Sequence, residues 1–110
     1  MKLTVGDAGG VKIVRIEGEL GTQTSPDAEA QLTQLINAGA RKVVVNLERL
    51  DYITSSGLSI LLTTAKQLRV SGGELRVCSL SDLVKDVFEM SGFDSILSVS
   101  KNEAEALKGF

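Results

Sequence analysis

A run of three valines, Val43-Val44-Val45, constrains the fold more than any other feature of this sequence. A short continuous apolar run of this kind is typical of a β-strand that is covered on both faces. It lies between two segments in which apolar residues recur every three or four positions, the pattern of an amphipathic helix. Because strands that alternate with helices pair in parallel through right-handed crossovers, the pattern predicts an α/β fold around a mostly parallel sheet.

The remaining elements continue this alternation. Residues 2–6 and 11–17 predict an N-terminal hairpin, because they are two strand-like segments joined by the turn-rich Asp7-Ala8-Gly9-Gly10. The whole chain reads β-β-α-β-α-β-α-β-α, which predicts a mixed sheet of about five strands with about four helices. A chain of 110 residues suits one domain with a core of its own, and we place a single domain over residues 1–110.

Hydroxyl side chains mark the expected starts of the helices. Ser25 is the predicted N-cap of the first helix. The second helix is predicted to begin within LDYITSSGLSILL, with Thr54 or Ser55 as its cap. Ser100-Lys101-Asn102-Glu103 has the form of a capping box and predicts a short terminal helix.

The composition excludes several classes of function. The chain has no histidine, which removes the commonest general base and the usual transition-metal ligand. Its net charge of −2 is spread over both signs, so no basic stripe indicates nucleic acid binding. One cysteine, Cys78, cannot form an internal disulfide, and no segment resembles a signal peptide or a membrane span. We therefore expect a cytoplasmic protein that is not an enzyme and holds neither a metal nor another cofactor.

Two loops follow neighbouring strands and are expected to meet at one edge of the sheet: Gly18–Ser25 and Asn46–Ser55. The second loop leads into Thr54-Ser55-Ser56-Gly57, where free backbone N–H groups and the helix dipole favour a phosphate. Helix capping, worth about 1 kcal/mol, explains one hydroxyl but not three in a row. A glycine in the first turn costs up to ~1 kcal/mol against alanine, and is useful where another group must come close. From the residues alone, capping and a reactive hydroxyl both stay open, and capping is favoured.

Three segments together resemble the STAS domain family, and specifically the stand-alone bacterial anti-sigma factor antagonists. They are NLERLDYITSSGLSILL, the earlier GEL and the later VFEMSGF, and the resemblance extends over roughly Leu3 to Leu107. It implies the STAS fold and a partner-switching function. The unmodified antagonist would bind an anti-sigma factor with GHKL-type serine kinase activity and free the sigma factor. Phosphorylation of one serine would break that complex, and a serine phosphatase would restore it.

The resemblance also implies the site. The family's usual pattern is Asp-Ser-Ser-Gly or Asp-Ser-Thr-Gly with the first serine modified, which places the phosphoacceptor at Ser55. It implies no direct binding of nucleic acid or membrane, and a monomer or weak dimer. The implied partner-binding residues are Gly18, Glu19, Leu20, Gly21, Thr54, Ser55, Ser56, Gly57 and Ser59.

Thr54 and Gly21 depart from the family pattern, because phosphorylated members commonly carry Asp at both positions. Some branches have a hydroxyl residue at the first position, so Thr54 is compatible with the resemblance. The missing carboxylates leave open slower modification, a divergent kinase or no modification. They also leave open a second function, as a soluble STAS subunit of a lipid-trafficking ABC transporter that acts without phosphorylation. A serine hydrolase is the most distant alternative, because the GxSxG elbow is absent.

Overall fold

The computed structural model describes residues 1–110, which form one six-stranded mixed sheet and four α-helices. None of these helices combines the length and the apolar character needed to cross a membrane. The elements in chain order are β1 (Lys2–Ala8), β2 (Val11–Leu20), α1 (Ser25–Asn37), β3 (Lys42–Asn46), β4 (Leu50–Ile53), α2 (Ser55–Val70), β5 (Glu74–Cys78), α3 (Asp82–Ser91), a 3-10 turn (Phe93–Ser95), β6 (Ser98–Ser100) and α4 (Glu103–Leu107).

The strand order across the sheet is β1-β2-β3-β5-β6, and β4 pairs with β2 outside this path. The β1–β2 hairpin is antiparallel, whereas the β2–β3, β2–β4, β3–β5 and β5–β6 pairs are parallel. The predicted α/β class, with its N-terminal hairpin and mostly parallel sheet, is therefore confirmed. The helices between the parallel strands are the crossovers that such pairing requires.

Strand β4 was not predicted, and it corrects the expectation of a loop over Asn46–Ser55. It pairs in parallel with the last residues of β2, where Gly18 lies opposite Leu50 and Leu20 opposite Ile53. The register shifts after Gly18, whose φ of 90° is a backbone conformation that favours glycine. This irregularity turns the end of β2 from β3 towards β4, so that β2 extends farther than predicted.

The two faces of the sheet are covered to different depths. A cluster of 19 buried apolar residues joins one face to α1, α2 and α3, whereas α4 covers a cluster of five on the other face. Val14 and Ile16 belong to the larger cluster, and Val11 and Ile13 to the smaller one. These two clusters show that β2 is an interior strand covered on both sides. Cys78 lies in the smaller cluster, where burial raises the pKa of its thiol and gives it a structural role.

Two of the predicted helix caps are wrong. The N-cap of α1 is Thr24, and Ser25 is already the first helical residue. The cap of α4 is Asn102, whose Oδ1 accepts a hydrogen bond of 2.9 Å from the backbone N–H of Glu105. Ser100 instead ends β6, so the polar segment before α4 is divided between a strand end and a helix cap.

Candidate functional site

The carboxyl ends of β2 and β4 lie side by side at one edge of the sheet. Leu20 is the register partner of Ile53, and the next residue, Thr54, donates its backbone N–H to the Leu20 carbonyl over 3.0 Å. The chain leaves β4 through Thr54–Gly57, which we call the serine turn. It leaves β2 through Gly21–Thr24, which we call the Gly21 loop. The two loops singled out from the sequence therefore meet, as predicted.

The serine turn uses only its threonine for the cap of α2. Thr54 has an extended backbone (φ −101°, ψ 175°), and its Oγ1 accepts a hydrogen bond of 3.4 Å from the backbone N–H of Gly57. Ser55 is the first residue of α2 and is exposed, Ser56 is half-buried, and Ser59 is exposed one turn later. Capping therefore does not account for Ser55. Because the first turn of α2 carries no acidic side chain, nothing there offsets the positive end of the helix dipole.

Gly57 is required by packing. A Cβ atom at this position would lie 2.5 Å from the Leu20 carbonyl oxygen and 2.8 Å from Cγ1 of Ile53. Both distances are shorter than any ordinary contact, so only glycine lets α2 begin directly against the ends of β2 and β4. The close approach predicted from a glycine in the first turn is thus confirmed, and the approaching groups belong to the protein itself.

The Gly21 loop is closed by a threonine. The backbone N–H of Gly21 donates to Thr24 Oγ1 over 2.9 Å, and the same hydroxyl donates to the carbonyl of Glu19 over 3.0 Å. Thr24 consequently gives α1 no side-chain cap. The next residue, Ser25, is 5% exposed, and its Oγ has no hydrogen-bond partner.

The predicted partner-binding residues divide by exposure. Leu20 and Gly57 are buried against each other and shape the edge from inside, and their contact with a partner stays a prediction. The exposed members of the predicted set are Glu19, Ser55 and Ser59, and the half-buried members are Gly18, Gly21, Thr54 and Ser56.

Two further residues of this edge were not identified from the sequence. Thr24 closes the Gly21 loop, and the spacing of Gly21 and Thr24 in a polar turn was the available signal. Tyr52 lies opposite Glu19 in the β2–β4 pair and is 46% exposed, which makes it an aromatic neighbour of the serine turn. The sequence does not single out Tyr52, because Asn46–Ser55 is predicted to be a loop.

The two departures from the family pattern are neighbours in space. A Cβ atom at Gly21 would lie 3.3 Å from Cγ2 of Thr54. The two positions that commonly carry carboxylates in the family are thus adjacent here, where a glycine faces a threonine. No group of three or more histidine, cysteine, aspartate or glutamate side chains in the structure could hold a metal ion.

Comparison with known protein families and sequences gives a consistent result. The STAS domain family model matches residues 3–106. BtrV of Bordetella bronchiseptica, a proposed anti-sigma factor antagonist, is 42% identical over 110 residues, which cover all of this chain and 95% of that protein. The anti-sigma F factor antagonist of Paenibacillus polymyxa is 35% identical over 99 residues, which cover 89% of this chain and 85% of that protein.

Solved structures share the fold at lower identity. The crystal structure of a proposed anti-sigma factor antagonist from Thermotoga maritima has a TM-score of 0.91 at 20% identity, covering 96% of this chain and 92% of that one. SpoIIAA of Bacillus, in its phosphorylated form, has a TM-score of 0.73 at 24% identity and covers 96% of both chains. At these identities the likeness shows a common fold.

Proposed function

Because this chain belongs to the STAS domain family, we propose that it is an anti-sigma factor antagonist that works by partner switching. The unphosphorylated form binds an anti-sigma factor and so releases the sigma factor, and phosphorylation of Ser55 abolishes that binding. One observation carries the choice of residue: Ser55 is exposed at the start of α2, while Thr54 supplies the cap. Two relatives at 35% and 42% identity, both named as antagonists, support the function.

The fold can accept a phosphate on Ser55. A phosphoserine carries a charge of about −1.5 to −2 at pH 7. At a helix start the dipole and the free N–H groups stabilise such a group by ~0.3–1 kcal/mol, and by up to ~2 kcal/mol where it is partly buried. The first turn of α2 contains no carboxylate to oppose it. We therefore expect the phosphorylated chain to stay folded.

The complex, in contrast, does not tolerate the phosphate. A partner that covers the serine turn must remove water from Ser55, and burying a dianion without a cationic partner costs several kcal/mol. A net penalty of about 4 kcal/mol weakens binding about a thousandfold. Folding and binding thus respond differently to the same modification, as a reversible switch requires.

The proposed partner is an anti-sigma factor that is also a GHKL-type serine kinase, and a serine phosphatase removes the phosphate. This assignment needs no catalysis by the chain itself, which supplies only the acceptor hydroxyl. We place the exchange in the cytoplasm, where sigma factors act on transcription. A transporter subunit is the alternative, and the lack of carboxylates at Gly21 and Thr54 favours it. The names of the two relatives favour the antagonist.

Calorimetric titration of the protein with the anti-sigma factor encoded in the same genome tests the proposal. We expect Ser55→Glu to weaken binding at least about a hundredfold, because it places a negative charge in the interface. The matched control is Gln67→Glu, which adds the same charge at an exposed position of α2, about 18 Å farther along the helix. This control should bind as the unmodified protein does.

Mass spectrometry supplies the second arm of the test. After incubation with the partner and ATP, we expect the added mass of one phosphate at Ser55 and none in a Ser55→Ala variant. A Ser55→Glu variant that binds as tightly as Gln67→Glu would exclude the switch. Phosphate found only at Ser56 or Ser59 would move the acceptor to another residue.

A further inference from the structure

We propose that Gly21 is a positioning residue for Ser55: its missing side chain leaves Thr54 free to cap α2, and thereby fixes the serine turn. The Gly21 loop then controls how Ser55 is presented. The consequence for phosphorylation rests on the proposed function, whereas the coupling of Gly21 to the cap rests on the geometry alone.

The end of β2 is the platform on which the serine turn rests. The Leu20 carbonyl accepts the Thr54 N–H, and Leu20 also packs against the backbone of Gly57. Gly21 follows directly and faces the Thr54 side chain. Leu20 thus contacts both ends of the turn that carries Ser55, and Gly21 lies beside the first of them.

The space at Gly21 is limited by one side chain. A Cβ atom there would lie 3.3 Å from Thr54 Cγ2 and 3.7 Å from Thr54 Oγ1, and it would meet no other residue within 4 Å apart from its chain neighbours. The first distance is shorter than an optimal carbon–carbon contact of about 3.5–4.0 Å, whereas the second is ordinary. Gly21 is not among the glycines with positive φ, so its backbone admits alanine. The methyl group of Thr54 is therefore the obstacle.

A side chain at position 21 would disturb the cap. The Thr54 methyl and hydroxyl groups are both attached to Cβ, so a rotation that moves Cγ2 aside also moves Oγ1. The bond from the Gly57 N–H to Oγ1 is already long at 3.4 Å, and a small rotation breaks it. Losing this bond releases the first turn of α2, in which Ser55 lies.

A double-mutant cycle of Gly21→Ala and Thr54→Ser tests the coupling. Gly21→Ala should accelerate hydrogen exchange of the Gly57 amide about fivefold, as expected for the loss of one cap. It should lower the kcat for phosphorylation of Ser55 by a similar factor. Thr54→Ser keeps the hydroxyl, so the Gly57 amide should exchange at nearly the same rate as in the unmodified protein. In the double variant the Gly57 amide should exchange slowly again, because the methyl group that opposes the alanine is gone.

Gly6→Ala is the matched control, since it places a methyl group on β1, at 3.5 Å or more from its nearest neighbours. It should leave the Gly57 amide unchanged. Normal exchange of Gly57 in Gly21→Ala, or a double variant as perturbed as Gly21→Ala, would overturn the proposal. So would a loss of phosphorylation without faster exchange, because Gly21 would then contact the kinase directly. If the unmodified protein accepts no phosphate, the proposed function fails, and the exchange data still decide the coupling.

Discussion

Helices α1 and α2 begin with the same dipeptide at the same edge of the sheet, and the two serines differ in exposure. In each helix a threonine is the N-cap and a serine is the first helical residue: Thr24-Ser25 in α1 and Thr54-Ser55 in α2. Ser25 is buried without a hydrogen-bond partner, whereas Ser55 is exposed. The same local sequence therefore produces one interior hydroxyl and one hydroxyl available for chemistry.

The backbone conformation of the threonine explains the difference. Thr54 is extended, the usual conformation of an N-cap, and its hydroxyl points into α2 towards the Gly57 N–H. Thr24 is in the helical region (φ −95°, ψ −21°), and its hydroxyl binds Glu19 and Gly21 in the preceding loop. Tertiary structure, rather than the dipeptide, thus decides which of the two serines is exposed.

Substitutions at the third residue of each helix should give the largest difference in stability between α1 and α2. Gly57 in α2 and the exposed Asp27 in α1 occupy equivalent positions. Gly57→Ala should lower the free energy of unfolding by about 3 kcal/mol, because its Cβ would meet the fixed Leu20 carbonyl oxygen. Asp27→Ala should cost less than about 1 kcal/mol, since it removes a favourable charge at the helix start and one exposed hydrogen bond, which Asp27 accepts from Gln31 Nε2. Urea unfolding measures both, and equal costs would mean that α2 is not clamped against β2.

The threonines at the N-cap positions of α1 and α2 have a smaller expected effect on stability, and amide exchange shows where each of them acts. Thr54→Val and Thr24→Val should each cost about 1–2 kcal/mol, because each loses side-chain hydrogen bonds without a change of shape. Amide exchange should separate them: Thr54→Val exposes the Gly57 N–H, and Thr24→Val exposes the Gly21 N–H. Faster exchange at Asp27 without a change at Gly21 in Thr24→Val would show that the Thr24 side chain, and not only its backbone, caps α1.

Much of this edge could be predicted from the sequence. The valine run and the two-sided β2 indicate a parallel sheet, and in such a sheet the ends of neighbouring strands must meet. The glycine of the serine turn was informative for a physical reason. A first-turn glycine lowers helix stability, and Gly57 offsets that cost through close packing on Leu20.

The remaining features depend on contacts that a linear pattern does not contain. Strand β4 has four residues, of which only Leu50 and Ile53 are buried, so its pattern does not alternate. Its pairing depends on the bend at Gly18 in another strand. The choice of Thr24 over Ser25 as N-cap depends on the backbone angles of a loop. The burial of Leu20 follows from the position of α2, which the sequence of β2 does not reveal.

Substitutions of the two serines should have the smallest effects on stability, and they test the difference in exposure directly. Ser25→Ala should stabilise the protein by about 1 kcal/mol, or raise its Tm by about 4 °C, because it removes a buried hydroxyl that forms no hydrogen bond. Ser55→Ala should change the free energy of unfolding by less than about 0.5 kcal/mol, since Ser55 is exposed and the cap belongs to Thr54. Thermal unfolding followed by circular dichroism measures both. If Ser25→Ala destabilises the fold, the Ser25 hydroxyl forms a hydrogen bond in solution. Ser25 would then no longer contrast with Ser55 as a buried hydroxyl without a partner. If Ser55→Ala is as costly as Thr54→Val, then Ser55 is part of the cap, and exposure does not make it available for phosphorylation.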